Sequence, residues 1–216
     1  SVSIEVMPLD EEDYRYLVED GLDGLTVYQE TYDEKRYEQV HLSGEKRNFK
    51  YRLDTPERGA KAGIRTIGIG ALLGLGGIRS DAFKTGLHLK YLMENYPNSE
   101  FSISFPRVNE AEGNLKDSYA VDDLTFVQIL LANRIFQPKA GITLSTRESA
   151  VMRDNIVALG VTKFSAGSKT EVGGYSHENE STAQFDITDN RDVEEIVRAI
   201  RGRGLEVVYK DWETLV

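Results

Sequence analysis

The sequence predicts an α/β protein whose repeated strand–helix units form part of a closed (β/α) barrel. Short β-branched or apolar runs alternate with segments of helical periodicity, so the predicted order is strand, loop, helix, loop. Such repeats form either a doubly wound open sheet or a barrel. Polar side chains follow nearly every predicted strand, and this pattern favours the barrel, in which functional residues lie at the carboxyl ends of the strands.

Six strands are predicted, over residues 3–7, 25–28, 66–73, 101–105, 142–144 and 161–165. A barrel of eight units usually needs about 250 residues. We therefore expect the 216 residues to form a single domain with about six of the eight units. An amphipathic helix over 189–204 and a short strand over 205–209 would belong to a C-terminal extension that starts near residue 184.

Two of the predicted helices have clear boundary signals. Asp122 and Asp123 predict the start of one helix, and Pro138 predicts its end. Thr55 is the predicted N-cap of another helix, which has a proline in its first turn. Gly63 is the expected C-terminal stop of that helix.

Charge and hydropathy argue against two classes of partner. The chain has 36 acidic and 26 basic residues, so its net charge of -10 repels nucleic acid and anionic lipid. Its apolar runs are too short to cross a bilayer. The chain starts at Ser1 without an initiator Met or a signal-like segment. We therefore expect a cytoplasmic protein whose native N-terminus lies further upstream.

The absence of cysteine limits the chemistry of these residues. With no cysteine in the chain, disulfides, thiolate catalysis and cysteine-ligated iron–sulfur clusters cannot come from its own side chains. The three histidines, His41, His88 and His177, lie in unrelated contexts without metal-ligand spacing. No metal site is predicted.

The first candidate site lies at the ends of the second and third predicted strands. Glu30 follows Gln29 there, and a carboxylate can accept two hydrogen bonds from the hydroxyls of a ribose. The alternative is a salt-bridged loop carboxylate. The glycine-rich stretch 68–77 would let backbone with free amides approach a ligand, or would serve tight strand–helix packing. It is neither a Walker loop nor a clean dinucleotide fingerprint.

Arginines at other strand ends are candidates for binding a carboxylate, because guanidinium offers planar bidentate donors. Arg52 and Arg107 are two of them, with structural ion pairing as the alternative. Arg147 opens a helix after the fifth strand, where Glu148 either fixes it or caps the helix. Ser165 follows the sixth strand, in a hydroxyl- and glycine-rich stretch suited to a small polar group such as an amine.

Several strings together resemble one family, the radical S-adenosylmethionine tyrosine lyases of thiamine biosynthesis, or 2-iminoacetate synthases (ThiH). The strings are 28–32, 52–58, 67–75, 104–107, 144–149, 165–170 and 173–175, and they continue through 189–212. The resemblance covers essentially the whole chain. The family's Cys-x3-Cys-x2-Cys loop and its methionine-binding Gly-Glu segment have no counterpart here. The resemblance therefore implies strands three to eight of a TIM-type barrel, the C-terminal part of such an enzyme.

The resemblance implies cleavage of the Cα–Cβ bond of L-tyrosine to p-cresol and 2-iminoacetate (dehydroglycine), which supplies part of the thiamine thiazole. The cofactors would be S-adenosylmethionine and a [4Fe-4S] cluster, whose ligands this chain lacks. The chain alone is therefore expected to be inactive. The implied partners are the thiazole-synthesis proteins.

The resemblance also assigns roles toward the cofactor. Glu30 would bind the ribose of S-adenosylmethionine, and Arg52 would pair with its methionine carboxylate. The backbone around Ala71, Leu72 and Leu73 would face the adenine.

For the substrate, the resemblance implies that Arg147 clamps the tyrosine carboxylate while Ser165 orients the amine. Arg107 and Tyr175 are looser candidates for the same pocket.

Two other functions stay open. The tyrosine lyase of [FeFe]-hydrogenase maturation shares most of these strings, although that relative continues into a second cysteine-rich segment. Alternatively, the polypeptide is a non-catalytic barrel fragment that binds small carboxylates or nucleosides. A partial barrel would expose strand edges, so we expect the fragment to dimerise or rearrange.

Overall fold

A computed structural model describes residues 1–108, 118–170 and 187–209. The chain divides into two compact units, Ser1–Thr143 and Leu144–Val216. One or more helices follow each of the parallel strands, in the strand-then-helix order that the sequence predicts. The expectation of a single domain over residues 1–216 stays a prediction.

The first unit is built on parallel strands that pair in chain order. The strands are β1 (Ser3–Ile4), β2 (Gly24–Glu30), β3 (Thr66–Ala71), β4 (Glu100–Ser104) and β5 (Gly141–Leu144), the last residue of which begins the second unit. Its helices are α1 (Glu11–Glu19), α2 (Glu34–Val40), α3 (Phe49–Leu53), α4 (Thr55–Lys61), α5 (Ile78–Asn95) and α6 (Asp123–Phe136). Within the second unit, the described elements are α7 (Ala150–Ile156), β6 (Lys163–Phe164) and α8 (Val193–Gly202).

The two faces of the sheet in the first unit differ in character. Alternate residues of β2, β3 and β4 form an apolar face that is at most 5% exposed: Leu25, Val27, Ile67, Ile69, Phe101 and Ile103. Gly59 of α4 lies directly against Leu25 on this face. Each fully buried aliphatic side chain contributes about 1.5–3 kcal/mol, so this face supplies much of the core.

The opposite face of the sheet carries small and polar residues in two rows. The pairing register aligns Thr26 with Gly68 and Ser102, and the next row aligns Tyr28, Gly70 and Ser104. A Cβ at Gly70 would lie 2.7 Å from the Tyr28 ring and 2.0 Å from the Ser104 carbonyl oxygen. A side chain at position 70 would therefore clash with both neighbouring strands.

Several boundaries differ from those the sequence predicts. β1 is shorter than 3–7, β3 stops at Ala71, and β6 has only two residues. Asp54, not Thr55, is the N-cap of α4, because buried Thr55 is already helical. The boundaries of α6 agree with prediction, since the Asp122 side chain caps it and it ends at Phe136.

The C-terminal prediction is wrong in two respects. α8 starts at Val193, not at 189, because Asp192 and Glu195 form a capping box. Residues 205–209 do not form a strand. The side chains of Val208 and Tyr209 are 77% and 73% exposed, so no sheet covers their apolar surface.

We predict that Gly70→Ala destabilises the chain by about 1–3 kcal/mol, because the added methyl group clashes with backbone that cannot move without breaking the sheet. The matched control is Gly202→Ala in α8, where no atom lies within 4 Å of the added Cβ. The control should be neutral or slightly stabilising. Urea unfolding followed by circular dichroism measures both changes, and equal free energies of unfolding would contradict the packing argument.

Candidate functional site

Glu30 ends β2 in an unusual backbone conformation and carries three basic neighbours. Its φ of 71° and the shift of pairing register after Tyr28 turn the side chain away from the regular ladder. Oε1 lies 3.1 Å from Lys46 Nζ and 3.3 Å from Arg52 Nη2, and Oε2 lies 3.1 Å from His41 Nε2. The salt-bridged carboxylate considered from the sequence is therefore present.

These neighbours fix the charge of Glu30. Burial opposes ionisation, but the hydrogen bond from His41 and the charges of Lys46 and Arg52 outweigh it and lower the pKa of Glu30 to about 2. The carboxylate is thus ionised throughout the physiological pH range and remains a hydrogen-bond acceptor.

Arg52 lies on α3 and is only 8% exposed. Its Nε donates to the carbonyl oxygen of Tyr28 at 2.7 Å, and Nη2 approaches Glu30. The Asn48 side chain starts α3 by accepting from the Tyr51 amide, so a short capped helix delivers the guanidinium to the strand end. The ion pair with Glu30 is the alternative that the sequence left open for this arginine.

Sequence analysis missed the contribution of His41 and Lys46. The two residues line an open cleft of about 460 Å³ together with Met7, Val40 and residues 42–45. His41 stacks on the Tyr37 ring at 4.0 Å while it contacts Glu30. No local motif indicates this, because the contacts span 11 and 16 residues of sequence. A cleft of this size is typical of small-molecule sites.

The segment after β3 corrects one expectation. The amides of Leu72 and Leu73 are not free to face a ligand, because they donate to the carbonyl oxygens of Glu30 and Pro106 at 2.8 Å each. Leu73 also forms a bridge with Arg107. Backbone hydrogen bonds thus join the segment Ala71–Leu73 to the neighbouring strand ends, and the half-buried Leu72 side chain is what it can offer a ligand.

Asp81 of α5 holds the loop that follows Glu30. Its Oδ1 accepts from the Tyr32 amide at 2.8 Å and from the Thr31 hydroxyl at 3.1 Å. A Cβ at Gly76 would lie 2.4 Å from the Thr31 hydroxyl and 2.7 Å from Asp81 Oδ2. Tight packing therefore accounts for this glycine, as the sequence allowed.

Arg107 is committed to contacts with the start of α6. Its Nη1 donates to the Val121 carbonyl oxygen and to Asp123 Oδ1, both at 2.8 Å. The guanidinium also lies 4.8 Å from the centre of the Phe126 ring. These contacts are the structural ion pairing that was the alternative to carboxylate binding.

In the second unit, Arg147 and Ser165 are both half-buried at strand ends. The Ser165 amide donates to the Leu144 carbonyl oxygen at 3.1 Å, which joins the end of β6 to the end of β5. The Arg147 amide donates to the Ser145 hydroxyl at 3.3 Å. Tyr175, the remaining predicted substrate contact, lies outside the described residues.

The described residues contain no set of ligands for a metal ion or an iron–sulfur cluster. The 216 residues contain no cysteine, so they supply no thiolate ligand for a [4Fe-4S] cluster. Within residues 1–108, 118–170 and 187–209, no group of three or more acidic or histidine side chains could hold a metal ion. No helix in these ranges combines the length and apolar character needed to span a bilayer.

Comparisons with known proteins identify relatives of the chain. The family model for the Biotin and Thiamin Synthesis associated domain matches residues 104–206. The 2-iminoacetate synthase of Escherichia coli (strain K12) is 41% identical over 215 residues, which are 99% of this chain and 57% of that enzyme. The chain is a relative of the 2-iminoacetate synthases. It spans a little over half the length of this curated relative, and the resemblance predicted from the sequence is confirmed.

Solved structures confirm the fold class. The crystal structure of HydG, a maturase of the [FeFe]-hydrogenase, matches with a TM-score of 0.85 and 32% identity, covering 94% of this chain and 44% of that one. Methylornithine synthase (PylB) has the same fold at 21% identity, with a TM-score of 0.60 over 95% of this chain and 59% of that one. The chain is thus an α/β protein with part of a TIM-type barrel of the radical SAM kind.

We predict a dependence of stability on pH that comes from Glu30. Because its pKa is lowered to about 2 in the folded chain, Glu30 stabilises the fold above its unfolded pKa, and this contribution is lost as the pH falls toward 2. Glu30→Gln should reduce the free energy of unfolding by about 3 kcal/mol or less at pH 7. The difference from the unsubstituted chain should shrink steadily between pH 5 and pH 3.

The control is Glu38→Gln, which removes the same charge from an exposed position on α2. Urea titrations at a series of pH values compare the three proteins. A loss for Glu30→Gln that stays constant with pH, or matches the loss for Glu38→Gln, would contradict the ion-pair argument.

Proposed function

We propose that this chain forms most of the barrel of a radical SAM lyase that cleaves the Cα–Cβ bond of L-tyrosine, giving 2-iminoacetate (dehydroglycine) and p-cresol for thiazole synthesis. The observation that best supports this proposal is the 41% identity to 2-iminoacetate synthase over 99% of the chain. The polar side chains at the ends of β2, β5 and β6 support the proposal, since barrel enzymes place their sites there.

Glu30 and Arg52 are the residues that would bind S-adenosylmethionine. The fit rests on an ionised carboxylate and a guanidinium 3.3 Å apart at one strand end, beside an open cleft. Glu30 would accept hydrogen bonds from the ribose hydroxyls, and Arg52 would pair with the methionine carboxylate. Ala71, Leu72 and Leu73 would flank the adenine, with the Leu72 side chain in apolar contact. When bound, the cofactor would supply the radical chemistry that starts the cleavage.

Arg147 and Ser165 are the residues that would hold the substrate. Arg147 is half-buried in the loop between β5 and α7, before the N-cap Ser149 and not in the helix that the sequence predicts it to open, and its guanidinium is suited to a bidentate bond with the tyrosine carboxylate. The Ser165 hydroxyl would orient the amine. Arg107 and Tyr175 remain proposed pocket residues, although the Arg107 side chain also bonds Asp123 at the start of α6.

The cluster ligands and the rest of the barrel would come from sequence beyond these 216 residues. We therefore expect the chain by itself to be inactive. The proposed activity also implies cytoplasmic partners that use 2-iminoacetate to build the thiazole. Unpaired strand edges in the isolated chain would favour dimers.

The deciding experiment compares the full-length, cluster-reconstituted enzyme with its Arg147→Ala variant. Loss of a bidentate charge-assisted bond should raise the KM for tyrosine by about 100-fold or more. The cluster absorption and the affinity for S-adenosylmethionine should stay unchanged, because Glu30 and Arg52 are untouched. Liquid chromatography of p-cresol provides the rate.

The matched control is Arg203→Ala, which removes an exposed guanidinium of the same unit whose Nη2 donates to the Asn155 side chain at 3.0 Å. Its KM should stay within 2-fold of the parent value. An unchanged KM in Arg147→Ala would remove Arg147 from the site. If the unsubstituted enzyme releases no p-cresol, the lyase proposal is wrong and the non-catalytic binding module replaces it.

A further inference from the structure

An ionic network in the second unit is centred on a fully buried ion pair and extends to two partly exposed side chains. Asp189 and Arg153 have side chains that are 0% exposed, and Asp189 Oδ2 accepts from Arg153 Nη1. Arg191 donates to both oxygens of Asp189, at 2.9 and 2.7 Å. Arg191 also forms a bidentate pair with Asp154, at 2.9 and 3.2 Å. Two positive and two negative side chains therefore balance.

The network is costly to bury, which calls for a role besides stability. Taking charges out of water costs several kcal/mol per ion, and apolar residues of equal volume often stabilise as well or better. Burial works against the charged forms of Asp189 and Arg153, yet hydrogen bonds from Arg191 and Arg153 lower the pKa of Asp189 to about 2. The pair is therefore locked in its ionised form.

One arm of the network reaches Ser165. Arg153 Nη2 donates to the Ser165 carbonyl oxygen, and its guanidinium stacks 4.1 Å from the centre of the Phe164 ring. The Ser165 amide is fixed independently by the Leu144 carbonyl oxygen. Since both backbone groups of Ser165 are bonded, the direction of its side chain is constrained.

The other arm reaches the residue before Arg147. The amides of Thr188 and Asp189 both donate to the Thr146 carbonyl oxygen, at 3.0 and 3.1 Å. Thr146 is 1% exposed. Its carbonyl belongs to the peptide unit that leads into Arg147, so the same aspartate that anchors Arg153 also orients the start of Arg147.

We propose that Asp189 is a positioning residue for the substrate half of the site. Through Arg153 it fixes Ser165, and through its own backbone it fixes Arg147, so the carboxylate and amine contacts keep one relative geometry. This inference deepens the lyase proposal and rests on it for the identity of the substrate. Asp189 touches neither substrate nor cofactor in this scheme.

The test uses Asp189→Asn in the full-length reconstituted enzyme, since Asn keeps the size and removes the charge. We expect the KM for tyrosine to rise about 10- to 100-fold, because small misplacements of binding groups are costly. The KM for S-adenosylmethionine should change less than 2-fold. More cofactor should be cleaved per p-cresol released, because poorly held tyrosine couples less well.

A second readout does not depend on activity. Hydrogen exchange followed by mass spectrometry should show faster exchange in peptides covering 144–148 and 163–166 of the Asp189→Asn enzyme. Peptides of the first unit should be unaffected. Combined with Arg147→Ala, the effects of the two substitutions on KM should be less than multiplicative if Asp189 acts partly through Arg147.

The matched control is Asp192→Ala, three residues along the chain, which removes the N-cap of α8 but contacts neither Thr146 nor Arg153 in the structure. It should lower the Tm by about 2–4 °C and leave the KM for tyrosine unchanged. If Asp189→Asn does not fold, Arg191→Lys carries the same test. This substitution keeps the positive charge but removes the bidentate hydrogen bonds to Asp189. It should raise the KM for tyrosine about 3- to 10-fold.

The outcomes separate the two proposals. If Asp189→Asn behaves like Asp192→Ala, with a lower Tm but unchanged KM and exchange, the positioning role is wrong while the lyase function stands. If the parent enzyme makes no p-cresol, the lyase function fails. Exchange at 144–148 and 163–166 then still decides whether Asp189 orders the two strand ends.

Discussion

The pairing register of the parallel strands is the constraint on which the first unit depends. Because Leu25 pairs with Ile67 and Ile67 pairs with Phe101, all the apolar side chains of these rows point to one face. A slip of one residue would turn that set to the opposite face. The same register brings the carboxyl ends of β2, β3 and β4 side by side, so the polar residues that follow them become neighbours.

The strand ends use charge in two different ways. The Glu30 side chain is 20% exposed, its three basic neighbours keep it ionised, and two of them, His41 and Lys46, line a cleft. Asp189 is fully buried, and its bonds all run to protein groups. The two carboxylates have the same lowered pKa of about 2. Exposure, rather than pKa, therefore separates the candidate ligand contact from the candidate positioning residue.

The sequence predicts the repeated units, five of the six strands to within two residues at each end, and the placement of Glu30, Arg147 and Ser165 at or just after strand ends. These features follow from local periodicity and from turn residues, which act over a few positions. It does not predict the partners of those residues. The contact of His41 with Glu30 and the pair of Arg153 with Asp189, 36 residues apart, depend on how elements pack.

The predicted strand over 205–209 fails for a related reason. An apolar alternating run predicts a strand only where a partner edge is available to pair with it. Free amides are expected in the glycine-rich stretch 68–77, but at Leu72 and Leu73 neighbouring carbonyl oxygens accept these hydrogen bonds, as buried N–H groups require. The sequence resemblance, in contrast, identified the family correctly, because short motifs along the chain can be matched without knowing how distant residues pack.

Among the described residues, the strand that lies wholly within the second unit is short, and a buried ion pair lies beside its end. In the first unit, hydrogen bonds between parallel strands fix the end of each strand, and this restricts the positions of the residues that follow. In the second, β6 has two residues and α7 has seven. A guanidinium with several rigidly arranged donors can replace a ladder, because it bonds a carboxylate and a carbonyl at once. Arg153 does this between Asp189 and Ser165, and so adds a side-chain hydrogen bond at the end of a short strand, where the Ser165 amide already bonds the Leu144 carbonyl oxygen.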